Sequence, residues 1–189
     1  MTRKPLYIAL AAQMLTAPAL IAGEKVIVKE GEALPKTSDA VLLQDYGSFK
    51  LYEMGSIQAH EYANKHNQAS VSNGMDMLLF DALTFDTQKA NSKLNLGQKS
   101  QLGVGSGLHI VQFIGPIKEQ WLSQVQSTGA KLIHYVANNG YLVWADDNSR
   151  AMLDQMATQR DIIQFSEAYY EDFKVGSTIK QRMVQNADA

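Results

Sequence analysis

The chain has 189 residues, a formal net charge of −2, 46% hydrophobic against 19% charged residues, and no cysteine. A chain of this length buries roughly 70% of the surface its unfolded form exposes, so its core needs no disulfide or metal. The near-neutral balance argues against a nucleic-acid binder, which needs a basic stripe to displace counterions. The missing cysteines exclude thiol catalysis, thiolate zinc sites and iron–sulfur clusters.

Residues 1–22 read as an export signal. Arg3 and Lys4 form a short positive region, and Leu6 to Leu15 form an apolar run interrupted at Gln13. Small residues follow, so that a peptidase cut falls after Ala19 or near Ala22. The run is too short to cross a bilayer comfortably, and Pro18 breaks it. The alternative is an N-terminal helix retained as an anchor. Removal of Arg3 and Lys4 takes the charge from −2 to −4, and the expected location is secreted or periplasmic.

Residues 24–87 form an irregular α+β segment. Lys25 to Val28 and Val41 to Leu43 suit short strands, Ser48 to Glu53 alternates cleanly, and Ser56 is placed to cap a helix running to about Lys65. Met77 to Phe80 and Leu83 to Phe85 follow, giving β-α-β-β at best. Residues 88–107 are polar and glycine-rich, as in a linker. The glycines 103, 105 and 107 precede a strand-like run instead of following one, which is the wrong order for a phosphate-cradling loop.

Residues 108–173 are better patterned. Leu108 to Ile114 is rich in β-branched and aromatic residues and ends at Gly115-Pro116. Pro116 suits a first helical turn, Ile117, Trp121, Leu122 and Val125 recur at helical spacing, and Gly129 suits the position just past a helix end. Lys131 to Ala137 and Tyr141 to Ala145 flank Asn138-Asn139-Gly140, which has hairpin chemistry. A second helix enters through Asp146 to Ser149 and carries Met152, Leu153 and Met156 inward. A last strand covers Ile162 to Phe165 or extends to Tyr170. The fold class is therefore α+β: a ferredoxin-like βαββαβ domain, an antiparallel sheet with two helices on one face, preceded by a smaller βαββ-like segment. Large residues at successive strand positions, such as Tyr135-Val136 and Leu142-Val143-Trp144, predict burial on both faces. The face without helices is then covered by a partner, or by the N-terminal segment of the same chain.

Catalytic constellations are scarce. His60 and His66, six residues apart, face different ways on a helix. His109 and His134 fall in strands of one sheet and suit packing or surface positions better than a metal site. Ser106 does not sit in a nucleophile elbow, Ser177 to Lys180 lacks the motifs that accompany SxxK, and Asp146-Asp147 and Glu171-Asp172 suit capping and solvation. No arginine follows the first strand of the C-terminal domain, which argues against an acylphosphatase. The chain is read as non-enzymatic, with no catalytic residue, metal or cofactor.

Residues Leu108 to Ile117, Trp121-Leu122, Gly129-Ala130, His134 to Val136, Asn139 to Val143 and Ala168 to Tyr170 together resemble the N-terminal prodomain region of secreted bacterial subtilisin-like serine proteases. Asp45 to Tyr52 and Phe85 to Thr87 resemble the segment that precedes it. The resemblance implies a module that assists folding of the protease and then inhibits it. The open sheet face would pack on surface helices of the enzyme, and the extended tail, residues 174–189, would lie in the substrate cleft. It assigns protease contacts to Glu167, Tyr169, Tyr170, Glu171, Asp172, Lys174 and Val175. The acidic ones would meet helix N-termini or serve as solvated edge charges. The sequence has no Asp, His and Ser blocks of a subtilisin catalytic domain. The chain is then the front of a longer precursor, a free-standing inhibitor, or a relic with another role. The other reading is an exported interaction or scaffold module using the same sheet.

Overall fold

The computed structural model describes residues 23–36, 40–80, 84–90 and 105–169. The expected signal segment, the tail from 170 onward and most of the expected linker lie outside them. The elements are β1 (Glu24–Lys29), β2 (Val41–Asp45), β3 (Phe49–Met54), α1 (Ser56–Lys65), β4 (Ala69–Val71), a 3-10 turn (Asn73–Asp76), β5 (Met77–Leu79), β6 (Thr84–Asp86) and α2 (Thr87–Ala90). The C-terminal half adds β7 (Gly107–Phe113), α3 (Glu119–Ser127), β8 (Lys131–Val136), β9 (Gly140–Ala145), α4 (Asp147–Gln159) and β10 (Ile163–Ala168). This is an α+β chain with two antiparallel four-stranded sheets, ordered β2-β3-β1-β4 and β10-β7-β9-β8, and a two-stranded β5-β6 ribbon.

Alternation along β7 sorts its side chains between two layers. Val111 and Phe113 join Trp121 and Val125 of α3 and Leu153 of α4 in one core, while Ile110 joins a second cluster on the other face. Both helices therefore lie on one face of the C-terminal sheet. Phe113 stacks on Trp121 with ring centroids 5.9 Å apart. Each fully buried apolar side chain of this size contributes about 2 kcal/mol.

Local chemistry sets the boundaries. Asn138 and Asn139 both adopt φ 65°, the backbone of a type I′ hairpin turn whose twist matches the flanking strands. Gly129, at φ 94°, ends α3 as expected. Asp146 caps α4 by accepting the Ser149 N–H at 2.8 Å. Arg160, at φ 55°, closes the same helix by donating its N–H to the Met156 carbonyl.

Several sequence expectations shift. Gly55 is the N-cap of α1. Ser56 is the first helical residue, and its hydroxyl donates to Glu24 instead. Pro116 lies before α3, whose N-cap is Lys118. Met152 is exposed on α4, while Leu153 is buried and Met156 packs against the core. The strand β4 went unread because Ala69-Ser70-Val71 carries a single β-branched residue. At the edges of the expected linker, residues 88–90 belong to α2. Gly105 donates to the Asp147 carboxylate at 3.1 Å, and Gly107 starts β7.

In the N-terminal sheet, Val26, Val28, Tyr52 and Met54 pack with Ala59 of α1. The other side meets the C-terminal half. Tyr46 and Leu43 pack against the core on the helix side of the C-terminal sheet, and the Tyr46 hydroxyl donates to the Pro116 carbonyl at 2.9 Å. Lys118 Nζ lies 4.7 Å from the Tyr46 ring centroid. Gly115 is needed here, because a Cβ would come within 2.6 Å of Leu51 Cδ2.

Candidate interaction surface

Register defines the sheet face that carries no helix. Ile110 pairs with Leu142, Leu108 with Trp144 and Gln112 with Gly140 across β7 and β9. His134 and Val136 continue these rows on β8. At the Gly140 end the face is covered from within the chain. Leu78 of β5 is fully buried against Ile110, Val136 and Phe165, and Leu79 bridges Ala137. A Cβ on Gly140 would come within 2.6 Å of Leu78 Cδ2, so this approach requires glycine. The N-terminal segment thus supplies part of the cover that the strand composition demands.

At the opposite end the cover stops. Trp144 remains 43% exposed, and Ile133 of the edge strand β8 is about half exposed. Burial on both faces therefore holds for Ile110 and Val136 and fails for Trp144. The chain leaves β10 at this same end, where the Tyr169 N–H donates to the Leu108 carbonyl at 3.1 Å. Tyr169 approaches Phe80 with ring centroids 5.9 Å apart, and burial raises its phenol pKa. Glu167 pairs with Ile110, and its carboxylate accepts the Ala168 N–H. Glu167 and Tyr169 thus stand at this end of the sheet. The other assigned contacts, Tyr170, Glu171, Asp172, Lys174 and Val175, lie outside the described residues.

Between the two halves runs a polar seam that strand-level pattern reading passed over. Lys25 of β1, 0% exposed, forms an ion pair with Asp76 at 2.7 Å and also donates to Gln164 of β10. The Gln164 amide donates to Asp76 Oδ1 at 3.1 Å and to Gln112 Oε1 at 2.7 Å. The Thr87 hydroxyl bridges Gln112 Oε1 and the Asp76 carbonyl. Burial lowers the Lys25 pKa, while the charge and hydrogen bond of Asp76 work to raise it. The only sequence signal was phase: Val26 and Val28 face α1, which puts Lys25 on the opposite, inward side of β1.

His109 and His134 lie in strands of one sheet, as expected, but are kept apart by β9, which separates β7 from β8. His109 is buried with Nε2 2.7 Å from Ser166 Oγ. The Ser166 hydroxyl lies 2.6 Å from Asp154 Oδ1 as its donor. In a serine-protease relay the carboxylate sits on Nδ1 and the hydroxyl donates to Nε2. Here Nδ1 has no hydrogen-bond partner, and Asp154 lies 3.5 Å from Nε2. The hydroxyl proton is committed to Asp154, so the trio ties β7, α4 and β10 together without activating a nucleophile. Burial works to raise the Asp154 pKa, but hydrogen bonds from His109 and Ser166 outweigh it and hold the carboxyl below its usual range. Among the described residues, no group of three or more His, Asp or Glu is placed to hold a metal ion. No helix among them is long and apolar enough to cross a membrane.

Residues 79–168 match a family model described as a domain of unknown function, DUF8729. The match runs from the last residue of β5 to the last residue of β10, so it takes in part of the N-terminal cover along with the C-terminal sheet. No curated protein and no solved structure matches the chain.

Proposed function

We propose that the chain is a prodomain-type module that assists the folding of a subtilisin-like serine protease and then inhibits it. The C-terminal half is read as a ferredoxin-like unit, supported by the strand order β10-β7-β9-β8 and two helices on one face. The observation that carries the reading is positional. The uncovered part of the helix-free face, around Trp144, lies at the end of the sheet where the chain leaves β10. A partner docked on that end would receive the following residues directly, and backbone pairing in a substrate cleft would add affinity. Docking would also supply a preformed surface to a catalytic domain whose non-local contacts make folding slow. Export to the periplasm or exterior, without catalysis or cofactor in this chain, belongs to the same proposal.

One observation favours the second reading, an exported interaction module with no protease role. The β5-β6 ribbon already covers the Gly140 end of the face, which leaves less surface for a protease than a bare sheet would. Titration of residues 23–189 against subtilisin-type proteases, following hydrolysis of a chromogenic peptide, separates the two. Slow, saturable inhibition that disappears when residues after 173 are deleted supports the prodomain. Rapid digestion without inhibition by several such enzymes supports the interaction module.

A further inference from the structure

Asparagine followed by glycine is prone to lose its side-chain amide, because the next backbone nitrogen can attack the side-chain carbonyl carbon and glycine puts no Cβ in the way. The sequence holds two such pairs, Asn73-Gly74 and Asn139-Gly140. We propose that the fold leaves the first reactive and shields the second, so that Asn73 is a modification site converted by water to aspartate and isoaspartate. The site lies in the turn ahead of β5 and does not depend on a protease partner.

The two pairs differ in what holds the attacking nitrogen. Asn73 and Gly74 are both exposed and open the 3-10 turn that runs to Asp76. The first N–H groups of a helical turn find no acceptor within it, so the Gly74 nitrogen stands outside the turn's own bonds. The turn has four residues, near the limit that such poorly bonded helices reach. It is also weakly closed, since the Met75 N–H reaches the Ser72 carbonyl only at 3.3 Å, longer than an ordinary bond of this type. Rotation about the Asn73 backbone, which brings the Gly74 nitrogen onto the side-chain carbonyl carbon, therefore meets little resistance. No atom lies within 4 Å of where a Gly74 Cβ would stand.

Asn139 is partly buried, sits at φ 65° and accepts the Phe113 N–H on its carbonyl at 2.9 Å. Gly140 is buried in β9 between Val136 of β8 and Gln112 of β7, with Leu78 Cδ2 against it. Its nitrogen cannot swing toward the Asn139 side chain without parting the strands on either side.

At Asn73 the Gly74 nitrogen bonds to Cγ and gives up its proton, the Cγ–Nδ2 bond breaks, and Nδ2 leaves as ammonia. Water then opens the five-membered imide. Opening at the side-chain carbonyl gives aspartate, and opening at the main-chain carbonyl gives isoaspartate, whose backbone runs through Cβ. Nothing is oxidised or reduced. The extra backbone carbon falls between two fixed points: the Ser72 N–H bonded to the Lys25 carbonyl at 2.8 Å, and the Asp76 carboxylate paired with Lys25 at 2.7 Å. Isoaspartate at this position thus loosens the polar seam.

The test warms the full chain in mildly alkaline buffer and maps its peptides by mass spectrometry. Replacement of NH by O is expected at residue 73 at a rate about tenfold or more above that at residue 139. In concentrated urea the two sites should react at similar rates, because the protection of Asn139 comes from the fold. Gly74→Ala, which enters open space, should slow the reaction at residue 73 about tenfold, and Asn73→Gln should remove it. The isoaspartyl fraction, separated by anion exchange, should unfold at a lower urea concentration, while Asn73→Asp should keep the original midpoint. Equal rates at the two sites in the folded chain, a faster reaction at residue 139, or no slowing in Gly74→Ala overturns the proposal. An isoaspartyl fraction with an unchanged midpoint overturns its effect on the seam.

Discussion

On one face of the C-terminal sheet, Phe113, Trp121, Val125 and Leu153 are each at most 1% exposed and meet through apolar contacts. On the other face, Leu78 supplies one apolar plug, and the rest of the junction is built from Lys25, Asp76, Thr87, Gln112 and Gln164. The difference lies in what each closure demands. An apolar core needs volume and accepts any side chain that fills it. A buried polar seam needs every donor and acceptor present at once, because a group left alone bears its full desolvation cost. The helix face therefore contributes most of the stability. The seam holds β1 in one register against β10, 139 residues away in sequence.

The largest effect expected is on the helix face. Trp121→Ala should cost about 4 kcal/mol in urea denaturation, by lost burial and the cavity left under α3. On the seam, Lys25→Met should cost about 3 kcal/mol, because Asp76 stays buried without its cation. The double variant Lys25→Met with Asp76→Leu should recover most of that loss, whereas no second truncation should rescue Trp121→Ala. If the double variant is as unstable as the sum of its parts, the seam is not a coupled unit. Leu78→Ala should cost about 2.5 kcal/mol, and the loss should be visible as faster hydrogen exchange at Ile110 and Val136.

Smaller effects sit at the surface and are set by pH. Folding lowers the pKa of Glu32 through His66, of Asp45 through Lys50 and of Asp146 through the Ser149 N–H. In Asp154 the hydrogen bonds from His109 and Ser166 outweigh the effect of burial. A folded pKa below the unfolded value means that the unfolded chain binds more protons in acid. These groups therefore stabilise the fold fully above about pH 5 and lose that contribution as the pH falls through their folded values. Asp146→Ala should cost about 1 kcal/mol at neutral pH by removing the cap of α4. Its denaturation midpoint should also depend less on pH between about 5 and 3 than that of the unsubstituted chain.

How far this organisation was legible follows the same division. The helix face could be read because Ile117, Trp121 and Val125 recur at helical period and Asn138-Asn139-Gly140 marks the hairpin. The caps Asp146 and Gly129 were visible for similar local reasons. The seam was not visible, because its members come from β1, the 3-10 turn, α2, β7 and β10, and no window of sequence holds two of its long-range partners. Periodicity put large residues on both faces of β9, but it cannot say that Leu78 reaches Ile110 and stops short of Trp144. The identity of a covering segment is a tertiary fact. The expected protease contacts were legible only through resemblance, and of these Glu167 and Tyr169 are among the described residues.

The two tryptophans turn the comparison into an experiment with the smallest expected change in stability. Trp121 is 1% exposed and Trp144 is 43% exposed, and the chain contains no other tryptophan. Trp144→Ser should alter stability by less than about 1 kcal/mol, because the residue lies outside both closures. If the Trp144 end is where a partner docks, the same substitution should weaken protease inhibition by about tenfold or more, since exposed aromatic anchors carry a disproportionate share of binding energy. Trp121→Phe leaves Trp144 as the only indole, and its emission should shift to the blue when the partner covers it. A blue shift with inhibition intact in Trp144→Ser would mean that the face is covered without contributing to affinity. Binding strength would then have to come from the residues beyond β10.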